Sequence, residues 1–366
     1  MPPPERLLLG PGPSPVSSRV LEAMAQPVVG HLDPWFLGLM DQIADDLRAV
    51  FQTTNRLTFA VSGTGSAGME ASIVNVVEPG DTVIVGVNGV FGGRLADTAR
   101  RCGANVVRLE QPWGRVIEAD QVAAGLASHP DAKAVVIVHA ETSTGARQPL
   151  AAIGRLVADT PALLIVDAVT SLGGIELDVD AWQLDVVYSG TQKCLSVSPG
   201  LSPITFSPKA QAVLDARTTA VQSWYLDVTA IRRYWGGDRA YHHTAPISGL
   251  YGLAEGLKIV LEEGLAKRWA RHEEVGALFG EHIVDRGAKL LAAAGHRLPQ
   301  LTSFAWPDGT DEGGLRRSLL DRHGIEVGGG LGDFAGTAWR VGLMGEGATH
   351  ANVDRLLYAI DDLLDR

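Results

Sequence analysis

Long apolar runs, basic clusters and cysteines are what this 366-residue chain has least of. No apolar stretch approaches the ~18–20 residues that a membrane-crossing helix needs, so no membrane partner is expected. Lysine and arginine total 31 against 42 aspartate and glutamate, a formal net charge of −11, and no Lys/Arg run stands out. A surface this acidic repels phosphate backbones, which argues against nucleic acid. The two cysteines, Cys102 and Cys194, cannot build a disulfide framework and suit a reducing compartment. The segment Met1 to Arg6 lacks the basic-then-apolar layout of a secretory leader, and the terminal Leu-Leu-Asp-Arg is no peroxisomal signal. A cytoplasmic protein is the expectation. The chain also lacks an internal repeat.

What is present points to a large core. Hydrophobic residues make up 46% and charged residues 20%, which excludes a disordered chain. From Leu57 to Phe206, short apolar runs alternate with helix-like stretches: LTFAVSG, DTVIVGV, NVVRL, AVVIVHA, ALLIVDA, DVVYSG and SPITFS. Most are apolar throughout, as in strands buried on both faces. Helices are expected at Gly68 to Val77, Gly93 to Arg101, Asp120 to Ala127 and Leu150 to Ala158. This alternation predicts an α/β fold, a mostly parallel seven-stranded sheet flanked by helices. Beyond Ala210 the pattern changes to a helical tract, Ser248 to Leu291 broken at Gly264, then two short strands and a last helix from His350 to Asp365. That reads as a smaller C-terminal α+β domain. The expected divisions are an N-terminal arm at 1–20, a large domain at 21–250 and a small domain at 251–366. The arm, LLLGPGPSPV, is apolar enough to dock on something, and a helix is expected near Pro15 with Ser14 as its cap.

Ser62-Gly63-Thr64-Gly65-Ser66-Ala67-Gly68 places G-x-G-x-x-G between a strand and a helix, the context of a dinucleotide fingerprint. Such a loop presents N–H groups and hydroxyls to an anion; the plain alternative is a tight turn. A nicotinamide fold also wants an acid at the end of the second strand. Here that strand ends in Asn88-Gly89, and Asp81 opens it instead. One phosphate is therefore preferred to a pyrophosphate, although a nicotinamide-dependent dehydrogenase stays as the alternative from another class.

ALLIVDA delivers Asp167 at a strand end, and DVVYSGTQKCL delivers Gln192 and Lys193 just after the next. Ligands of parallel sheets bind outside the strand carboxyl ends. Taken alone, the pair reads equally well as a buried ion pair. Beside a phosphate loop, an amine and a carboxylate are what pyridoxal 5′-phosphate needs, the one for a Schiff base and the other for the pyridinium nitrogen.

Together with LLLGPGPSPV, EPGD, ETSTGA and WRVGLMG, the run VDAVTSLGG followed by YSGTQK resembles the class V, fold-type I aminotransferases, above all those of alanine–glyoxylate and serine–pyruvate type. The similarity spans nearly the whole chain. It implies Lys193 as the Schiff-base lysine and Asp167 as the pyridinium partner, with Val169 on one ring face and Phe91, where relatives often carry Trp, on the other. It further implies Thr64, Gly65, Ser66 and Gln192 around the phosphate and Thr142 near the ring hydroxyl. Tyr241 and Thr244 would reach in from the neighbouring subunit of a homodimer. Arg340 would clamp the substrate carboxylate, and Gly12 would lie near the substrate mouth. Ser66 stands where mammalian-type enzymes have histidine, so an altered cofactor affinity or substrate breadth is expected. The expected reaction moves an amino group from alanine or serine to glyoxylate or another small 2-oxo acid. Ureidoglycine–glyoxylate and aminoethylphosphonate–pyruvate transfer are the alternatives within the family.

Other tempting residues read more plainly. Adjacent His242 and His243 lack a third ligand at useful spacing, so no metal is expected. Cys194 reads as a small buried thiol, without a base placed by sequence.

Overall fold

Residues 3–365 are described in the computed structural model; the first two residues of the expected arm and the last of the 251–366 segment lie outside them. The apolar runs form one seven-stranded sheet in the order Leu57–Ser62, Leu201–Phe206, Val186–Tyr188, Leu163–Asp167, Ala134–Val138, Thr82–Val87, Asn105–Glu110. All neighbours pair in parallel except Leu201–Phe206, which is antiparallel to both of its own. Alternate residues enter opposite faces. Val135, Ile137, Leu164, Val166 and Val187 join one apolar cluster; Val136, Val138, Leu163, Ile165 and Val186 join another. With both faces covered, each strand must be apolar throughout, which is why the runs do not alternate.

The helices follow the expected spans with shifted ends. The expected Gly68–Val77 helix is Gly65–Val74 and so begins inside the glycine loop. The tract expected to reach Leu291 is two helices, Ile247–Glu263 and Leu265–Asp285, and it stops at Gly287, whose φ of 91° leaves the helical region. Helix Pro34–Phe51, which the apolar pattern had not singled out, packs with Ile247–Glu263 in the first cluster. Asp33 caps it by accepting from Trp35 N at 2.9 Å, with Pro34 at its first position.

A second, antiparallel sheet orders Lys289–Leu290, Leu301–Ala305, Ala338–Gly342 and Gly328–Gly329, with helices Leu265–Asp285, Glu312–His323 and His350–Leu363 around it. The arm does dock there. Leu7–Leu8 pairs in parallel with Ile325–Glu326, and Leu9 is fully buried in the third apolar cluster. Its serine is not a cap: the first helix is Ser18–Met24, capped by Ser17. Ser14 is instead drawn inward, its N–H donating to Gln192 O at 2.9 Å and its hydroxyl to Lys193 O at 2.7 Å. No helix among the described residues is long and apolar enough to cross a membrane.

Candidate active site

Asp167 is the last residue of its strand and pairs directly with Tyr188, the last of the next. Its Oδ2 accepts from the Tyr188 hydroxyl at 2.6 Å and its Oδ1 from Val169 N at 2.9 Å. It makes no ion pair among the described residues. Burial holds its carboxyl above the ordinary aspartate range, and the Tyr188 hydroxyl, the Val169 N–H and the charge of Lys193 offset only part of that rise.

Lys193 sits on the turn that follows. Ser14 holds its carbonyl from one side; the fully buried Arg268 donates to Cys194 O at 2.6 Å from another. Its Nζ donates to Pro11 O. Burial first, then the Arg340 charge, lowers the amine to about 8. Gly12 leaves the room: its φ is 109°, and a Cβ there would stand 2.6 Å from Nζ. The neighbouring Cys194 thiol donates to Thr170 O at 3.3 Å and is pushed up to about 12 by burial, so it stays protonated.

The glycine loop opens helix Gly65–Val74 with Thr64 at its cap, and no side chain caps it. The first N–H groups of that helix are left for an outside acceptor. Ser62 anchors the loop's start, bonded to His243 Nε2 at 2.6 Å and, through its carbonyl, to the Tyr225 hydroxyl at 3.1 Å.

One cavity of about 170 Å³ gathers these groups. Thr64, Gly65, Ser66, Phe91, Thr142, Asp167, Val169, Gln192 and Lys193, all expected from the sequence, line it together with Arg94 and Thr170. Gly12 touches it through Lys193. Arg340 reaches its edge, donating from Nη1 to Thr142 O at 3.5 Å and from Nε to Gly329 O at 2.8 Å. Burial lowers Arg340 to about 10. Tyr241 and Thr244 are exposed and stand outside the cavity of their own chain. His242 Nδ1 lies 2.8 Å from His243 Nδ1, so the two rings engage one another.

Three contributors went unnoticed in the sequence. Tyr188 lay within the quoted YSGTQK run. Arg94 follows Phe91 by one helical turn and lies 4.9 Å over its ring. Glu141 opens ETSTGA and is fully buried.

The cavity's unmet bonding describes its ligand. Uncapped helix N–H groups and the Thr64 and Ser66 hydroxyls ask for an anion. Asp167 makes no ion pair among the described residues, and an amine lowered to about 8 awaits an electrophile. Pyridoxal phosphate answers each demand with its phosphate, ring nitrogen and aldehyde, and Phe91 and Val169 offer apolar surfaces to its ring.

Comparison with known proteins points the same way. The family described as Aminotransferase class-V matches residues 7–338. The chain is similar to the alanine–glyoxylate aminotransferase of Callithrix jacchus, 40% identical over 99% of this chain and 88% of that one. Among solved structures, the alanine–glyoxylate aminotransferase of Nostoc sp. aligns at a TM-score of 0.97 and 50% identity, covering 100% of this chain and 96% of that one. The ureidoglycine–glyoxylate aminotransferase of Bacillus subtilis aligns at 0.98 and 40%, covering 100% and 94%.

Proposed function

The chain belongs to the class V aminotransferases, pyridoxal-phosphate enzymes of fold type I, and we propose that it moves the amino group of a small amino acid, alanine or serine, to glyoxylate or a comparable 2-oxo acid. The observation that carries this reading is the convergence of Lys193, Asp167 and the uncapped Gly65 helix on one cavity. When bound, the cofactor supplies an aldehyde that takes up amino groups and a cationic ring that accepts the electrons of a broken Cα–H bond.

This chain's residues do the rest. Thr64, Gly65, Ser66 and Gln192 hold the phosphate. Asp167, which accepts from the Tyr188 hydroxyl and the Val169 N–H, would pair with the ring nitrogen and keep it protonated. Lys193 would hold the cofactor's aldehyde carbon, and its free amine would take the proton from substrate Cα onto Nζ, a task suited to an amine near 8. Thr142 meets the ring hydroxyl. Arg340 holds the substrate carboxylate in a planar fork, which fixes Cα against the ring. Gly12, with no side chain, leaves the room in which Lys193 and a small substrate can meet.

Tyr241 and Thr244 complete the partner subunit's site in a homodimer. Their exposure outside their own cavity supports this, as does the tie of adjacent His243 to Ser62. A cytoplasmic location is supported by two buried, unpaired cysteines.

The test is direct. Purified protein should show a visible cofactor band that borohydride bleaches and fixes at Lys193. A panel of alanine, serine and ureidoglycine against glyoxylate and pyruvate then ranks donors and acceptors. Ureidoglycine is included because of the likeness to the Bacillus subtilis enzyme. A colourless protein that binds nicotinamide tightly would end the reading.

A further inference from the structure

Glu141 is a fully buried carboxyl in which every hydrogen bond runs inward. Its Oε2 accepts from Phe91 N at 3.0 Å and Gly92 N at 3.2 Å, the first turn of helix Val90–Arg101. Its Oε1 accepts from Ser143 N at 3.1 Å and from the Ser143 hydroxyl at 2.5 Å. That hydroxyl is itself the acceptor for Val90 N at 3.0 Å, so its proton must point to Glu141. Burial first, and the Asp167 charge with it, pushes this carboxyl upward, while the hydrogen bonds from Ser143 and Gly92 pull the other way; four donors and no acceptor leave no place for a carboxyl proton, and the helix N-terminus favours the anion. Gly89 makes the room, because a Cβ there would collide with the Glu141 carboxyl and the Ser143 hydroxyl. The buried Arg340 makes no ion pair among the described residues; its Nη1 donates at 3.5 Å to the carbonyl of Thr142, the residue next to Glu141, and the Glu141 charge opposes the lowering that burial imposes on the guanidinium.

We propose that Glu141 is a positioning residue with two duties: it seats the helix that carries Phe91, and it is the standing counter-charge of Arg340, weakening that arginine's hold on carboxylates so that product can leave. The second duty rests on Arg340 as the substrate-carboxylate site.

Two substitutions separate the duties. Glu141→Gln and Glu141→Asp both spoil the cap, but only the first removes the charge. Glu141→Gln should therefore lower the KM for glyoxylate and the Kd of acetate for the cofactor-loaded protein, each roughly three- to tenfold, while kcat falls. Glu141→Asp should lose kcat with both constants held within about twofold. If the two variants shift KM and acetate binding alike, Glu141 is a cap alone and the counter-charge is overturned. Arg340→Ala, run in parallel, isolates the underlying reading. If it leaves acetate and glyoxylate binding unchanged, Arg340 itself is misassigned; if it weakens both while Glu141→Gln strengthens neither, only the counter-charge fails. Should Glu141→Gln fold poorly, the double variant Glu141→Gln/Arg340→Gln should regain part of the lost Tm, since the cap stays spoiled but no unpaired buried charge remains. Additive losses in the double variant would sink the pairing.

Discussion

Burial acts in opposite senses on Lys193 and Asp167, lowering the amine to about 8 and raising the carboxyl. Only the neutral amine can attack an aldehyde. The rate at which apoprotein takes up pyridoxal phosphate should therefore rise about tenfold per pH unit below 8 and level off above it. Stopped-flow absorbance reads this, and a rate that climbs without a break to about pH 10.4, the ordinary lysine value, would contradict the depressed amine. Lys193→Ala should bind the cofactor only noncovalently. It should lose far more than tenfold in turnover, where tenfold is roughly 1.4 kcal/mol in barrier. Tyr188→Phe should keep the cofactor attached yet reduce kcat, because Asp167 loses a charged-acceptor hydrogen bond worth about 1.5–3 kcal/mol. Unchanged turnover in Tyr188→Phe would show that Val169 N–H alone keeps the carboxylate ionised. Lys193 and Asp167 were legible because each ends an apolar run. Tyr188 was not, since its role depends on which strands are neighbours, a fact the chain order does not state. Glu141 was hidden for a similar reason: two of its four donors lie some fifty positions earlier, on a helix turned over it by the sheet.

Elements were easier to find than to delimit. The seven strands are the seven apolar runs, but the helices begin and end where backbone groups find partners. Ser14 looked like a cap until the arm folded it against Lys193, where its hydroxyl serves a carbonyl instead. Helix Leu265–Asp285 shows how such partners make a structure sensitive to acid. His272 Nδ1 donates to Arg268 O at 2.7 Å, and its Nε2 accepts from Gly345 N at 2.9 Å, so both nitrogens are committed in the neutral ring. Burial lowers it to about 3. Unfolded histidine titrates near ~6.5, so below that pH the unfolded chain takes a proton that the folded one refuses. Stability should fall from about pH 6.5 towards 3, at up to about 1.4 kcal/mol per pH unit for this residue. The buried His139, also lowered to about 3, adds to the slope. Denaturant titrations across this range should show His272→Gln with a slope about one proton shallower. An unchanged slope would mean that this histidine does not carry the acid sensitivity.

At the scale of the whole molecule, the proposed exchange of Tyr241 between subunits makes a quantitative forecast. In a mixed dimer of Lys193→Ala and Tyr241→Ala chains, one site collects both lesions and the other collects none. Refolding the two inactive proteins together at equal amounts should restore about a quarter of wild-type activity, because half the dimers are mixed and each has one good site. If Tyr241 served its own chain instead, no mixture could exceed its components. The arm poses a different question, of time. Leu7 pairs with Ile325, Leu9 O accepts from Gly342 N at 2.8 Å, and Pro11 O takes the lysine ammonium. The residues that leave the ribosome first are thus among the last to find their places. A nascent chain that has passed Phe206 holds every strand of the large sheet, yet it has neither the strand on which its own beginning will settle nor Arg340. The lysine waits, uncovered, until more than a hundred further residues have been made, so a chain cut short in translation can shape a cofactor site but never close it.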